Sequence, residues 1–255
     1  MTTHELGYDV QGPEDAPVVV LGSSLGTTRT AWDPQLPMLT EQFRVVRYDH
    51  LGHGESAVPP GPYSLAGLAS SLAGLLSEIG VERAHVAGLS LGGMVGLQLA
   101  ARYPHLVDRL AIVGSSAYLP PAQTWLDRAT TVRRSGMEAV ADTVLSRWFT
   151  PGFQDSPQAK NIRADLLSVP PEGYAGCCEA IATMDLRPVL SHVRAPTLAI
   201  AGTDDPATPV EHSRTVVEGV SGPARLEVVP DAAHLASLER PEEVGTLLVD
   251  HFLGN

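Results

Sequence analysis

The sequence has only two cysteines, no long apolar run and few basic residues, and each shortage removes a class of protein. Cys177 and Cys178 are adjacent. A vicinal disulfide is sterically awkward and two neighbouring ligands cannot close a zinc site, so both read as packing thiols in a helix. No window approaches the ~18 uninterrupted apolar residues of a membrane span. The opening Met1-Thr2-Thr3-His4-Glu5 lacks the basic and apolar regions of a signal peptide, so a soluble, cytoplasmic protein is expected. Seventeen basic residues stand against twenty-nine acidic ones, a net charge of −12. No Lys/Arg cluster offers the basic face that nucleic-acid binding requires. The same field repels small anions, so an anionic substrate needs a local arginine to hold it.

What is present suits one domain carrying an inserted cap. The 255 residues are 44% hydrophobic, enough for a sizeable core and too apolar for a disordered chain. Short β-branched runs alternate with longer amphipathic stretches, the pattern of a mostly parallel sheet flanked by helices, an α/β fold. Strands are expected at Val18–Gly22, Arg44–Tyr48, His85–Gly88, Arg109–Val113, Leu198–Ala201 and Leu226–Val229, with an antiparallel edge strand around Glu5–Val10. Helices are expected at Leu65–Ile79, Leu91–Arg102 and Pro241–Phe252. The alternation breaks between about Ser115 and Arg187. There Trp125, Trp148 and Phe149 fall at helical spacing, and Pro-Pro pairs at 120–121 and 170–171 punctuate the run. This reads as a helical insertion within a single domain spanning 1–255, because the sheet is incomplete without the strands that follow.

The sharpest local signal is Gly88-Leu89-Ser90-Leu91-Gly92-Gly93, set between a strand and a helix. A serine on so tight a turn is strained, its hydroxyl exposed above the sheet edge, and a Cβ at either flanking glycine would collide with the turn. The helix N-terminus aims N–H groups at developing negative charge. A serine hydroxyl needs a base, and the base an orienting carboxylate. His234 lies just past the last strand, on a loop that can overhang the sheet's carboxyl edge. His50 and His53 sit in a tight glycine turn, where His53 braces the loop; as a metal pair they lack a third ligand. His4, His85, His105, His192, His212 and His251 have no motif around them. For the acid, Asp205 in Gly202-Thr203-Asp204-Asp205-Pro206 is preferred because the chain must first turn off its strand. Asp204 is the alternative, and Asp231 is too close in sequence to His234.

Ser90, Asp205 and His234, in that chain order, resemble the α/β-hydrolase superfamily over essentially the whole chain. Within it the sequence is most similar to the 3-oxoadipate enol-lactonases. The resemblance is carried by Gly22-Ser23-Ser24-Leu25-Gly26-Thr27, Trp32-Asp33-Pro34-Gln35, Arg47-Tyr48-Asp49, Gly52-His53-Gly54, Gly88-Leu89-Ser90-Leu91-Gly92-Gly93-Met94 and Arg147-Trp148-Phe149-Thr150. Where most of the superfamily has His-Gly in the first loop, this chain has Ser23-Ser24, a departure the enol-lactonases share. Leu51 stands where arginine is common.

The resemblance implies a serine acyl-enzyme that hydrolyses 3-oxoadipate enol-lactone in aromatic catabolism, with no cofactor and no metal. It implies an oxyanion hole from the Leu25 and Leu91 amides, with Ser24 the alternative to Leu25, and substrate contacts from Ser24, Arg147 and Trp148. Arg147 is the first candidate for a substrate carboxylate, with Arg133 and Arg134 behind it. No fused decarboxylase domain is expected, and oligomeric state is not legible. Competing readings are an esterase or lactonase acting on neutral substrates, a cofactor-free haloperoxidase or perhydrolase, and a non-catalytic ligand-binding protein on the same fold.

Overall fold

The computed structural model describes residues 5–255. Seven strands form one sheet: β1 (Tyr8–Gln11), β2 (Val18–Gly22), β3 (Arg44–Tyr48), β4 (Ala84–Leu89), β5 (Val107–Val113), β6 (Thr197–Gly202) and β7 (Ala224–Val229). Their spatial order is β1-β3-β2-β4-β5-β6-β7. β1 is antiparallel to β3 and every other pair is parallel. β2 and β3 keep their expected bounds. β5 begins at Val107, two residues before the expected Arg109, because the buried Val107 pairs with Ala84 and the half-buried Asp108 continues the strand. The edge strand starts at Tyr8, not Glu5.

Ten α-helices are described: α1 (Leu36–Thr40), α2 (Leu65–Glu78), α3 (Leu91–Arg102), α4 (Ala122–Ser135), α5 (Glu138–Trp148), α6 (Pro157–Ser168), α7 (Pro171–Ala182), α8 (Val210–Gly219), α9 (Ala236–Glu239) and α10 (Pro241–Leu253). α2 starts where the Ser64 hydroxyl accepts the Gly67 N–H, and it buries Leu65, Leu68, Leu72, Leu75 and Leu76. α3 lies against β2, β4 and β5. It comes that close through Gly93, where an added Cβ would sit 2.7 Å from the Ser115 Cβ. Between β5 and β6 the chain forms α4 to α7, with α4 packed on α7 and α5 on α6. Cys177 and Cys178 are free thiols buried in α7. No described helix is long and apolar enough to cross a membrane.

The strand order explains where a site can form. From β2 the chain moves outward to β3 and then crosses to β4 on the other side, so the connections leaving β2 and β4 diverge. That divergence opens a crevice beyond their carboxyl ends. Gly22 and Gly88 are register partners there, which sets the residues after β2 beside the turn after β4. Trp32 fixes the first of these loops: it is fully buried and its indole N–H donates to the Gly22 carbonyl at 3.1 Å. Trp32→Ala is expected to cost about 3–5 kcal/mol of unfolding free energy, as a buried aromatic leaves a cavity. Urea denaturation checks this, and a loss below about 1 kcal/mol would contradict it.

Candidate active site

Ser90 occupies a strained turn between β4 and α3, at φ +53° and ψ −110°. Its N–H donates to Val113 O at 2.8 Å, and its carbonyl accepts the Ser115 hydroxyl at 2.8 Å. Both bonds come from the end of β5, so the surrounding structure over-determines a backbone conformation that non-glycine residues rarely adopt. The flanking glycines are required. A Cβ on Gly88 would lie 2.1 Å from the Gly92 carbonyl carbon, and one on Gly92 would lie 2.2 Å from Gly22 O.

His234 follows β7 and Asp205 follows β6, and the two meet over the same edge. His234 Nδ1 donates to Asp205 Oδ2 at 2.8 Å. Asp205 is buried and well supplied with donors: the Ala207 and Thr208 amides reach Oδ1 at 2.7 and 2.9 Å, and the Thr208 hydroxyl reaches Oδ2 at 2.7 Å. Burial alone pushes this carboxyl up. The charge of His234 and the hydrogen bonds from His234 and Thr208 outweigh it, and the group is held at about 2. With Nδ1 committed as a donor, Nε2 keeps its lone pair for a neighbouring proton. Ser90 and His234 line one pocket. Asp204 and Asp231 are exposed, and neither carboxylate reaches the imidazole. Thr208 is the group that sequence reasoning overlooked; its only signal was a threonine three residues after an aspartate, a common turn pattern. Gly114 lies beneath the pair, where an added Cβ would sit 2.6 Å from His234 O.

The loop after β2 supplies the other wall. Leu91, the first residue of α3, has an N–H with no intrahelical acceptor. The N–H of Leu25 donates to no acceptor among the described residues. The loop is pinned at three points: Gly92 N–H donates to Ser23 O at 3.0 Å, His50 Nε2–H donates to Ser23 O at 2.9 Å, and Gly26 N–H donates to His53 Nε2 at 2.9 Å. That last bond needs an unprotonated Nε2, so the His53 proton sits on Nδ1, facing Leu51 O at 3.2 Å. Among the described residues no group of three or more His, Cys, Asp or Glu could hold a metal. His4 lies outside the described residues.

These two histidines make a testable pH dependence. Burial pushes His50 down to about 3 and His53 down to about 4, and burial likewise pushes His251 down to about 4. An unfolded histidine takes up its proton near pH 6.5. Between about 6.5 and 4 the unfolded state therefore binds more protons than the folded one, and stability falls as pH falls. The melting temperature is expected to drop steadily from pH 7 to pH 5, before the carboxylates titrate. A flat profile over that range would contradict the neutral, buried assignment.

Above Ser90 the pocket is roofed by α4, α5 and α7, through Trp125, Val144, Trp148, Tyr174 and Ile181. Together these side chains form a narrow, partly open pocket over Ser90 and His234. Ser24 lines its floor and is buried, and Trp148 is buried in its wall. Two arginines face in. Arg147 is exposed at the rim, while the half-buried Arg128 lies with its Cζ 4.7 Å from the Trp125 ring centre. Neither makes an ion pair among the described residues. Arg128 was not picked out from the sequence. Arg133 and Arg134 lie outside the pocket. Arg133 is engaged by the Glu172 and Glu179 carboxylates of α7, whose charge leaves it nothing to offer a ligand.

A strained serine at a strand-to-helix turn, a carboxylate-oriented imidazole and two unbonded amides, all at the carboxyl edge of a mostly parallel sheet, define a class. The chain belongs to the alpha/beta hydrolase fold family, whose model matches residues 17–241. It is a hydrolase. It is 36% identical over 239 residues to 3-oxoadipate enol-lactonase 2 of Acinetobacter baylyi, covering 93% of this chain and 89% of that protein. The crystal structure of the enol-lactonase from Burkholderia xenovorans LB400 superposes with a TM-score of 0.94 at 37% identity, over 97% of this chain and 96% of that one. The chain is also 32% identical to a protein of Stutzerimonas stutzeri named for carbamate hydrolysis, RutD, over 96% of this chain and 95% of that protein.

Proposed function

We propose that the chain hydrolyses a small lactone bearing a free carboxylate, with 3-oxoadipate enol-lactone as the substrate, through an acyl-enzyme on Ser90. The observation that carries this reading is the coincidence, in one pocket, of Ser90 and His234 with two arginines that have no carboxylate partner. In a chain of net charge −12, two pocket-lining arginines without a carboxylate partner favour an anionic ligand. The name of the 36% identical relative supplies the particular lactone, and the 37% identical structure is named an enol-lactonase.

The chemistry follows from the geometry. His234 Nε2 takes the Ser90 proton as Oγ bonds to the lactone carbonyl carbon. The resulting oxyanion sits between the Leu25 and Leu91 amides, each such donor being worth about 2.7–4 kcal/mol in the transition state. Collapse breaks the ring acyl–oxygen bond. The leaving oxygen departs as an enolate, is protonated from His234, and the enol tautomerises to a ketone, which draws the equilibrium forward. His234 then takes a proton from water as its oxygen attacks the acyl-enzyme carbonyl, and on collapse the acyl–Oγ bond breaks and His234 gives that proton to Ser90. The helices from Ala122 to Ala182 act in this scheme as a cap that limits water access and carries the carboxylate-binding arginines.

The test is a comparison of kcat/KM for the enol-lactone, its methyl ester and a small carbamate. The expected order has the free acid about 10²-fold ahead of its methyl ester, the scale of one charge-assisted contact or two. A faster neutral ester would favour a general esterase, and a faster carbamate the activity for which the 32% identical relative is named. Arg128→Ala is expected to raise KM for the carboxylated lactone about tenfold or more and Arg147→Ala less, in keeping with its exposed position. Both should leave neutral esters unchanged. Equal loss on both substrate types would exclude a carboxylate clamp.

A further inference from the structure

His234 is held from both sides by bonds that lead to the cap. On one side the Leu235 N–H donates to the carbonyl of Trp148, the pocket wall, at 3.0 Å. On the other the Ala233 N–H donates to Glu239 Oε2 at 2.6 Å. The second oxygen of the same carboxylate, Oε1, accepts the Thr150 N–H at 2.9 Å and the Thr150 hydroxyl at 2.6 Å. Glu239 is 5% exposed and ends α9, and among the described residues it has no cationic partner. One buried carboxylate thus bridges the residue before the base to the segment immediately after α5.

A buried carboxylate is tolerated only where donors surround it, and here all three partners are donors. The site discriminates against the isosteric amide. A glutamine has one acceptor oxygen and one donor nitrogen, so either the Ala233 N–H or the Thr150 pair would face an NH₂ group. No flip satisfies both sides. An aspartate keeps the charge but is one methylene too short to span them.

We infer that Glu239 is a positioning residue: its carboxylate fixes the His234 loop against the cap, so that the base and the Trp148 wall keep one geometry relative to Ser90. The inference rests on Ser90 and His234 forming the reacting pair, and it adds that their alignment is set from the cap. The base moves only if the end of α5 moves with it.

The experiment uses the full chain and a fluorophosphonate, which needs no assumption about the natural substrate. Ser90 Oγ bonds to phosphorus as fluoride leaves and His234 takes the proton, so the inactivation rate reads the alignment of serine, base and pocket wall without a choice of natural substrate. Glu239→Gln is expected to slow inactivation about tenfold or more, in line with the cost of misplacing a reacting group. Glu239→Asp should be equally slow. Thr150→Val, which removes one of the three donors, should slow it about threefold and covers the case in which Glu239→Gln does not fold. Thermal unfolding of each variant separates misalignment from loss of fold. A Glu239→Gln rate within twofold of wild type, full recovery in Glu239→Asp, or an unchanged Thr150→Val would each overturn the bridge. If wild type itself is not labelled at Ser90, the nucleophile assignment falls, and this inference with it.

Discussion

His234→Ala is expected to lower kcat by about 10⁶, Ser90→Ala by the same amount, and the double variant by no more than either alone. The two side chains act as one unit: without the imidazole the hydroxyl keeps its proton, and without the hydroxyl the imidazole has nothing to deprotonate. The residual rate is what binding and the Leu25 and Leu91 amides supply by themselves. Both side chains line the pocket, and His234→Ala also leaves the buried Asp205 carboxylate without its imidazole partner, so stability is measured beside activity. Steady-state turnover of the three variants, with circular dichroism to confirm the fold, checks this. Multiplicative losses in the double variant would mean that the residues act in separate steps.

Asp205→Asn should cost about 10⁴ in kcat while leaving KM nearly unchanged. Oδ1 of Asp205 serves two backbone amides, and Oδ2 serves both Thr208 and His234. An asparagine that keeps its oxygen on the two amides turns its NH₂ toward His234 Nδ1. Nδ1 must then accept, the proton moves to Nε2, and the base can no longer take the Ser90 proton. Asp204→Asn is the control, expected to be neutral because that side chain is exposed. The pH dependence has a definite sign. The Asp205 carboxyl is held at about 2, below its ordinary value, so its contribution to stability is complete above about pH 4 and is lost as pH falls toward 2. The variant should lose that acid-side dependence.

The sheet was legible because parallel strands covered on both faces are written as uninterrupted apolar runs, as in Val18–Gly22. The turn at Ser90 was legible because its strain can be relieved only by small neighbours at fixed spacing. α8 was not, since it buries only Ser213 and Val216 and is polar over most of its length. The cap helices were readable as helical but not in their orientation. Which of Arg128, Arg133 and Arg134 faces the pocket depends on how α4 rotates against α7, and Arg147 depends on how α5 is seated beside them, tertiary contacts with no local signature. Glu239 was hidden for a similar reason: Thr150, its partner, is brought to it from a distant segment.

Turnover of freshly prepared 3-oxoadipate enol-lactone, followed as loss of its ultraviolet absorbance with the wild-type chain and with Ser90→Ala, tests the proposed activity and its nucleophile together. Rapid loss with wild type that falls to the uncatalysed rate in Ser90→Ala is the predicted result. Lactone left intact by a chain that hydrolyses neutral esters, or lactone consumed equally well by folded Ser90→Ala, would contradict it.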